Sequence, residues 1–281
     1  MNDTVSEKAE PVTRTKAVRK KEESSFLWFL AKLVLAVLVF RTFIFTSFMI
    51  PSESMMPRLL VGDYLFAAKW SYGYSQASMP FDLNIVPGSG RLFGSLPERG
   101  DVVIFKHPVD RVDYVKRVIG LPGDTVQMVA GQLVLNGTPV SKDRISDFVL
   151  PTTVARGCGF MGGSHTRRHA DGTIACHFPR FRETLPNGVF YNVLDLGNSE
   201  KDTTESFIVP EGHLFMMGDN RDNSQDSRFD PRAGGGVGMV PYDNLVGRAS
   251  FMFFSTDGTA EWIKPWTWFT AARWDRIGHG I

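Results

Sequence analysis

The chain opens polar, turns apolar over one long stretch, and then breaks into short runs of strand length. Residues 1–25 alternate charges and include Arg14, Lys16, Arg19, Lys20 and Lys21. They hold too little apolar surface to offset the entropy of ordering, which predicts a mobile tail. From Phe26 the sequence reads FLWFLAKLVLAVLVFRTFIFTSFMI, with charges only at Lys32 and Arg41. A helix crossing the hydrocarbon core needs about 20 largely apolar residues. Residues 26–47 supply them if the two cations snorkel toward opposite interfaces. A cleaved leader would end in a small-residue site, whereas this stretch runs straight into IPSESMMP. A buried helix of a soluble domain is the other alternative. The basic cluster ahead of the apolar stretch places residues 1–25 in the cytoplasm and everything after the span outside.

Past Ile50 the pattern favours strands. Residues 64–68, 102–105, 114–119, 125–129, 132–135, 214–217 and 249–254 each have strand length and composition. Within AGQLVLNGTPV, the pairs Ala130–Gly131 and Asn136–Gly137 mark tight turns and predict a small meander. Gly-Asp recurs at Gly62–Asp63, Gly100–Asp101, Gly123–Asp124 and Gly218–Asp219, the first three just ahead of strand-like runs. This is turn punctuation. Many short strands and few helical stretches predict a mostly β domain over 48–281, an antiparallel sandwich or barrel-like body preceded by one transmembrane helix.

Composition narrows the function. A formal net charge of +1 over 281 residues gives no broad attraction to nucleic acid. Residues 152–182 are rich in Gly, His and Arg, as an inserted loop is, and hold both cysteines, Cys158 and Cys176. Outside the membrane, an oxidising compartment favours pairing them. Free thiols remain an alternative, as does a metal site with His165, His169 and His177, although the spacing matches no zinc pattern. Residues 262–276 carry Trp262, Trp266, Trp268 and Trp274, four of the chain's six tryptophans. Such a segment suits a membrane interface or packs on the domain's own core.

Three polar segments hold the candidate chemistry. The first, IPSESMMPRLLVGD, contains Ser54; a serine near proline is ordinarily a turn residue. The second, RGDVVIFKHP followed by DYVKRVIGLPGD, contains Lys116 inside an apolar run. Alternation puts Lys116 on one face with Tyr114 and Val118, and Val115, Arg117 and Ile119 on the other. Such a lysine either points into solvent or is desolvated, and desolvation lowers its pKa. The third, MGDNRDNSQDSRFD, has the look of a polar loop; it fails the spacing of a helix–loop–helix calcium site.

Taken in order, PSESMMPxLLVGD, RGDVVIFKHP, YVKRVIGLPGD and MGDNRDNSQDSR resemble the successive boxes of bacterial type I signal peptidases. The resemblance implies a membrane-bound serine endopeptidase with a Ser–Lys dyad, Ser54 as nucleophile and Lys116 as general base. It implies an oxyanion hole built from the Ser54 N–H and the Ser52 hydroxyl. Ser224 matches the serine that orients the lysine, and Asp219, Arg117, Asp226 and Arg228 match polar supports. Phe48, Ile50, Met55, Leu59, Tyr114 and Val115 match positions lining the pockets for small substrate residues. Arg58 departs from the pattern, which has threonine there.

No metal and no cofactor is expected. The implied partners are exported preproteins, cleaved after Ala-x-Ala, and the lipid bilayer, with no nucleic acid and no obligate protein partner. The implied location is the bacterial inner membrane, with a single span, a cytoplasmic N-terminus and a periplasmic, extracytoplasmic catalytic domain. Two rivals share these features: a specialised pilin or conjugation-type Ser–Lys peptidase, and a non-catalytic, membrane-tethered peptide-binding β-domain.

Overall fold

A computed structural model describes residues 14–79, 90–152, 158, 165–261 and 263–281, and divides the chain into two units, 1–44 and 45–281. The first unit is helix α1 (Arg14–Phe43). Its apolar part, Ser25–Phe43, is long enough to cross a membrane, and none of its residues is buried. The helix starts inside the segment predicted as a mobile tail. Residues 14–24 are mostly Lys, Arg, Ala and Glu, good helix formers that propagate a helix once the apolar stretch nucleates it. Residues 1–13 lie outside the described residues.

The helix also ends before residue 47. Phe45–Met49, aromatic and β-branched in part, forms β1, and the second unit therefore begins three residues ahead of the predicted boundary. β1 pairs antiparallel with β2 (Asp63–Ala68), Phe45 opposite Ala68 and Met49 opposite Tyr64. Strands β3 (Val102–Lys106) and β4 (Asp113–Gly120) follow. Next comes the meander of β5 (Thr125–Val129), β6 (Gln132–Leu135) and β7 (Thr138–Pro139). Its two turns lie where Ala130, Gly131, Asn136 and Gly137 all take positive φ, the geometry that matches the twist of paired strands. The long strands β8 (Ser141–Thr152) and β10 (Ile174–Thr184) pair antiparallel, with β9 (Thr166–Arg168) and β11 (Phe190–Leu194) beside β10. The chain closes with β12 (Phe207–Ile208), β13 (His213–Met217), β14 (Val240–Pro241) and β15 (Leu245–Ser255).

The principal sheet has the order β1-β2-β15-β3-β4-β13-β14, and two four-stranded sheets flank it. Register shifts in β15 opposite β2 and β3 bend this sheet. One core, with Ile50, Met55, Leu59, Leu65 and Ile104, lies on one face of the bend; Val103, Phe105, Val118 and Leu214 fill another.

The region predicted as an inserted loop is in good part strand: β9 and most of β10 fall within it. Pro179 concealed this, because a proline inside a run demotes it as a strand; here it sits at a register shift between Phe178 and Arg180. Cys158 and Cys176 are joined by a disulfide, with Cα atoms 5.6 Å apart. It packs with Phe178 and Leu194 against Met56 and Leu60. In the C-terminal segment, Trp266 and Phe269 of α2 (Trp266–Ala271) and Trp274 beyond it are exposed. Trp262 lies outside the described residues.

Candidate active site

The loop from Ser52 to Leu60 joins β1 to β2, and its apolar residues anchor it in two directions. Met55 and Leu59 enter the core beneath β2 and β3. Met56 and Leu60 pack onto the disulfide cluster. The loop closes where the Leu60 N–H donates to Asp63 Oδ2 at 2.7 Å. Pinned on both sides, it holds Ser54 in the wall of a cleft of about 530 Å³.

Lys116 reaches the same cleft from the middle of β4, where it pairs with Val103 of β3. It is 3% exposed, and its Nζ lies 2.6 Å from Ser54 Oγ. Burial lowers the Lys116 pKa to about 8; Asp226 and Asp219 oppose the shift and Arg228 adds to it. A buried lysine beside a hydroxyl, its pKa lowered toward neutrality, has the chemistry to serve as a base for that hydroxyl. Ser52 Oγ is 3.3 Å from Ser54 Oγ.

The polar run after β13 forms the third wall. Arg117, one residue beyond Lys116 and therefore on the opposite side of β4, donates to both Asp219 oxygens, at 2.7 and 2.6 Å. Asp226 accepts from Arg228 Nε at 2.9 Å and from the Gly218 N–H at 3.0 Å. Although burial alone raises its pKa, Arg228 holds Asp226 below the usual carboxylate range. Gly218 must be glycine: a Cβ there would overlap Ser224 Oγ and lie 2.5 Å from the Ser54 carbonyl oxygen.

The structure gathers Ser52, Ser54, Lys116, Ser224, Phe48, Ile50, Met55, Tyr114 and Val115 around this cleft. It places Asp219, Arg117, Asp226 and Arg228 behind it, all nearly or fully buried. Two expectations fare differently. Leu59 is fully buried in the core and does not line the cleft. Ser224 lines it, yet its Oγ makes no hydrogen bond to Lys116 and has no partner among the described residues. Arg58 points away from the cleft chemistry and donates to the Gly280 carbonyl at 2.6 Å.

Three participants went unassigned in the sequence. Glu183 of β10 forms a fully buried pair with Arg221 and accepts from the Tyr191 hydroxyl at 2.9 Å. Asn220 and Asn223 tie the polar run to the Ser54 loop. The asparagines stood in the polar run beside assigned residues, which was the available signal. The Glu183 contact joins positions 38 apart, and nothing local announces it. Among the described residues no group of three His, Cys, Asp or Glu side chains is arranged to hold a metal ion.

With the geometry in place, comparison with known proteins is direct. The family model described as signal peptidase, peptidase S26, matches residues 24–254. Signal peptidase I of Rickettsia typhi is 35% identical over 252 residues, 87% of this chain and 83% of its own length. That of Rickettsia akari is 35% identical over 250 residues, 86% of this chain and 84% of its own length. Among solved structures, a signal peptidase I from Enterococcus faecalis V583 aligns at 23% identity and a TM-score of 0.29, covering 56% of this chain and 98% of that one.

Proposed function

The chain belongs to the signal peptidase family, peptidase S26, and we propose that it removes signal peptides with Ser54 as nucleophile and Lys116 as general base. The observation that carries this assignment is the 2.6 Å approach of Lys116 Nζ to Ser54 Oγ inside a cleft. Neutral Lys116 takes the hydroxyl proton as Ser54 attacks the scissile carbonyl. The acyl-enzyme forms as the mature protein's amine leaves with that proton. Lys116 then activates water, which releases the signal peptide and restores the serine. The Ser54 N–H and the Ser52 hydroxyl stabilise the oxyanion of both tetrahedral species, each strong donor contributing about 3–4 kcal/mol.

The substrate is an exported preprotein with small residues before the bond. Phe48, Ile50, Met55, Tyr114 and Val115 give the cleft an apolar wall that accepts alanine and excludes bulk by overlap. β1 is the end strand of the principal sheet, so an extended peptide can add along its outer edge. α1 serves as a single-pass anchor with a cytoplasmic N-terminus, and the β domain works on the far side of the bacterial inner membrane. Exposed Trp266 and Trp274 suit contact with the lipid interface. Preprotein cleavage by the wild type and by Ser54→Ala tests the assignment.

A further inference from the structure

The peptide unit between Glu53 and Ser54 carries two groups that matter together. Its nitrogen is the Ser54 N–H, the proposed oxyanion donor, which donates to no group among the described residues. Its carbonyl, that of Glu53, accepts from Asn220 Nδ2 at 3.2 Å and from the Met56 N–H at 3.1 Å. This peptide is not among the cis bonds of the chain. A trans peptide is planar, so its N–H points opposite to its C=O. Whatever fixes the carbonyl therefore aims the N–H.

Asn220 is built to fix it. The residue is completely buried, and its own N–H donates to the Ser54 carbonyl at 3.0 Å, so one residue brackets the peptides on both sides of Ser54. Its backbone is itself held, by a bridge to Leu194 and by the Asn223 N–H on its carbonyl. A third tie comes from Asn223 Nδ2, which donates to Glu53 Oε2 at 3.0 Å. We infer that Asn220 is a positioning residue: its side-chain amide, together with the Met56 N–H, sets the plane of the Glu53–Ser54 peptide and so orients the Ser54 N–H toward the oxyanion. The inference rests on the reading of Ser54 as nucleophile.

The test uses the full-length, detergent-solubilised enzyme and the isosteric variant Asn220→Asp, whose carboxylate has no N–H to offer the Glu53 carbonyl. Three quantities are measured: kcat and KM on a signal-peptide substrate, and the inhibition constant of a substrate-like peptide aldehyde. The aldehyde adds the Ser54 hydroxyl across its carbonyl, placing an oxyanion where the donors point. Loss of one such donor costs about 10²-fold in kcat. Because the Met56 N–H still holds the carbonyl, the expected result is a loss between about tenfold and that full cost in kcat, with KM within about twofold. The aldehyde constant should rise by the same factor as kcat/KM falls. Asn220→Ser, which keeps a shorter donor, should recover part of both, and it replaces the aspartate variant if that one does not fold. A purely structural role would lower stability without making aldehyde affinity track kcat/KM. An unchanged kcat, or a lowered kcat with unchanged aldehyde affinity, overturns the inference. If Ser54→Ala also cleaves, the nucleophile assignment itself fails; if Ser54→Ala is inactive and Asn220→Asp is active, only the role of Asn220 does.

Discussion

Arg117 grips Asp219 with two parallel hydrogen bonds of 2.7 and 2.6 Å, both side chains almost wholly out of water. Its guanidinium also lies 4.2 Å from the centre of the Tyr191 ring and donates to the Gly100 carbonyl at 2.6 Å. Because Arg117 adjoins Lys116 on β4, this pair locks the strand that delivers the base to the loop that walls the site. A buried pair is costly to break and cheap to replace. Arg117→Met alone leaves a buried carboxylate unpaired and should lose about 3–5 kcal/mol of stability in urea unfolding. Arg117→Met with Asp219→Leu should recover most of that loss.

Activity should follow the Lys116 amine. The base must be neutral, and burial brings its pKa in the free protein to about 8, so kcat/KM should climb with pH and level off above roughly that value. The sign for stability is the same. Between about 8 and the ordinary lysine value of 10.5, the unfolded chain holds a proton that the native state has shed, so stability rises with pH there and this contribution fades as pH falls through about 8. A pH profile of kcat/KM with no limb near 8 would contradict the assignment of Lys116 as the titrating base.

The fold and the dyad were legible in the sequence to different depths, for physical reasons. β5 and β6 announce themselves by alternation between turn pairs, and their bounds match the reading. β4 does so through its apolar run, and Lys116 and Tyr114 do share a face, Nζ lying 6.0 Å from the ring centre. β10 has buried positions, but Pro179 and the register shift beside it break their alternation. β8 has no fully buried position, so its sequence, SKDRISDFVLPT, shows no clear period-2 pattern and reads as charged surface. The start of α1 was misjudged because its first residues carry helix propensity but no amphipathic signal. The contact between Ser54 and Lys116 was legible only through the ordered motifs, since a lone serine and a lone lysine 62 residues apart have no local signature.

The disulfide is a stabiliser within reach of the catalytic loop. Cys158 and Cys176 are 18 residues apart, and closing a loop of that size is worth about 3 kcal/mol. The paired substitutions Cys158→Ser and Cys176→Ser should lower unfolding stability by roughly that amount. Reductant should then shift the wild-type denaturation midpoint and leave that of the variant unchanged.

Gly218→Ala tests the close approach behind the nucleophile. The added methyl would meet Ser224 and the Ser54 carbonyl, and either must move. The expected outcome is a folded protein, judged by circular dichroism, with cleavage reduced by at least about tenfold, as overpacking displaces neighbours in a dense interior. Wild-type activity in this variant would show that the Ser224 wall has slack.

The central claim is that Ser54 and Lys116 act as one catalytic unit, and preprotein cleavage tests it most directly. A preprotein with an Ala-x-Ala site is incubated with detergent-solubilised wild type, Ser54→Ala and Lys116→Ala, and the new N-terminus is sequenced. The account predicts cleavage after the second alanine by the wild type alone, each variant losing at least about 10³-fold in rate. Cleavage at the same bond by Ser54→Ala, at a rate near that of the wild type, would contradict it.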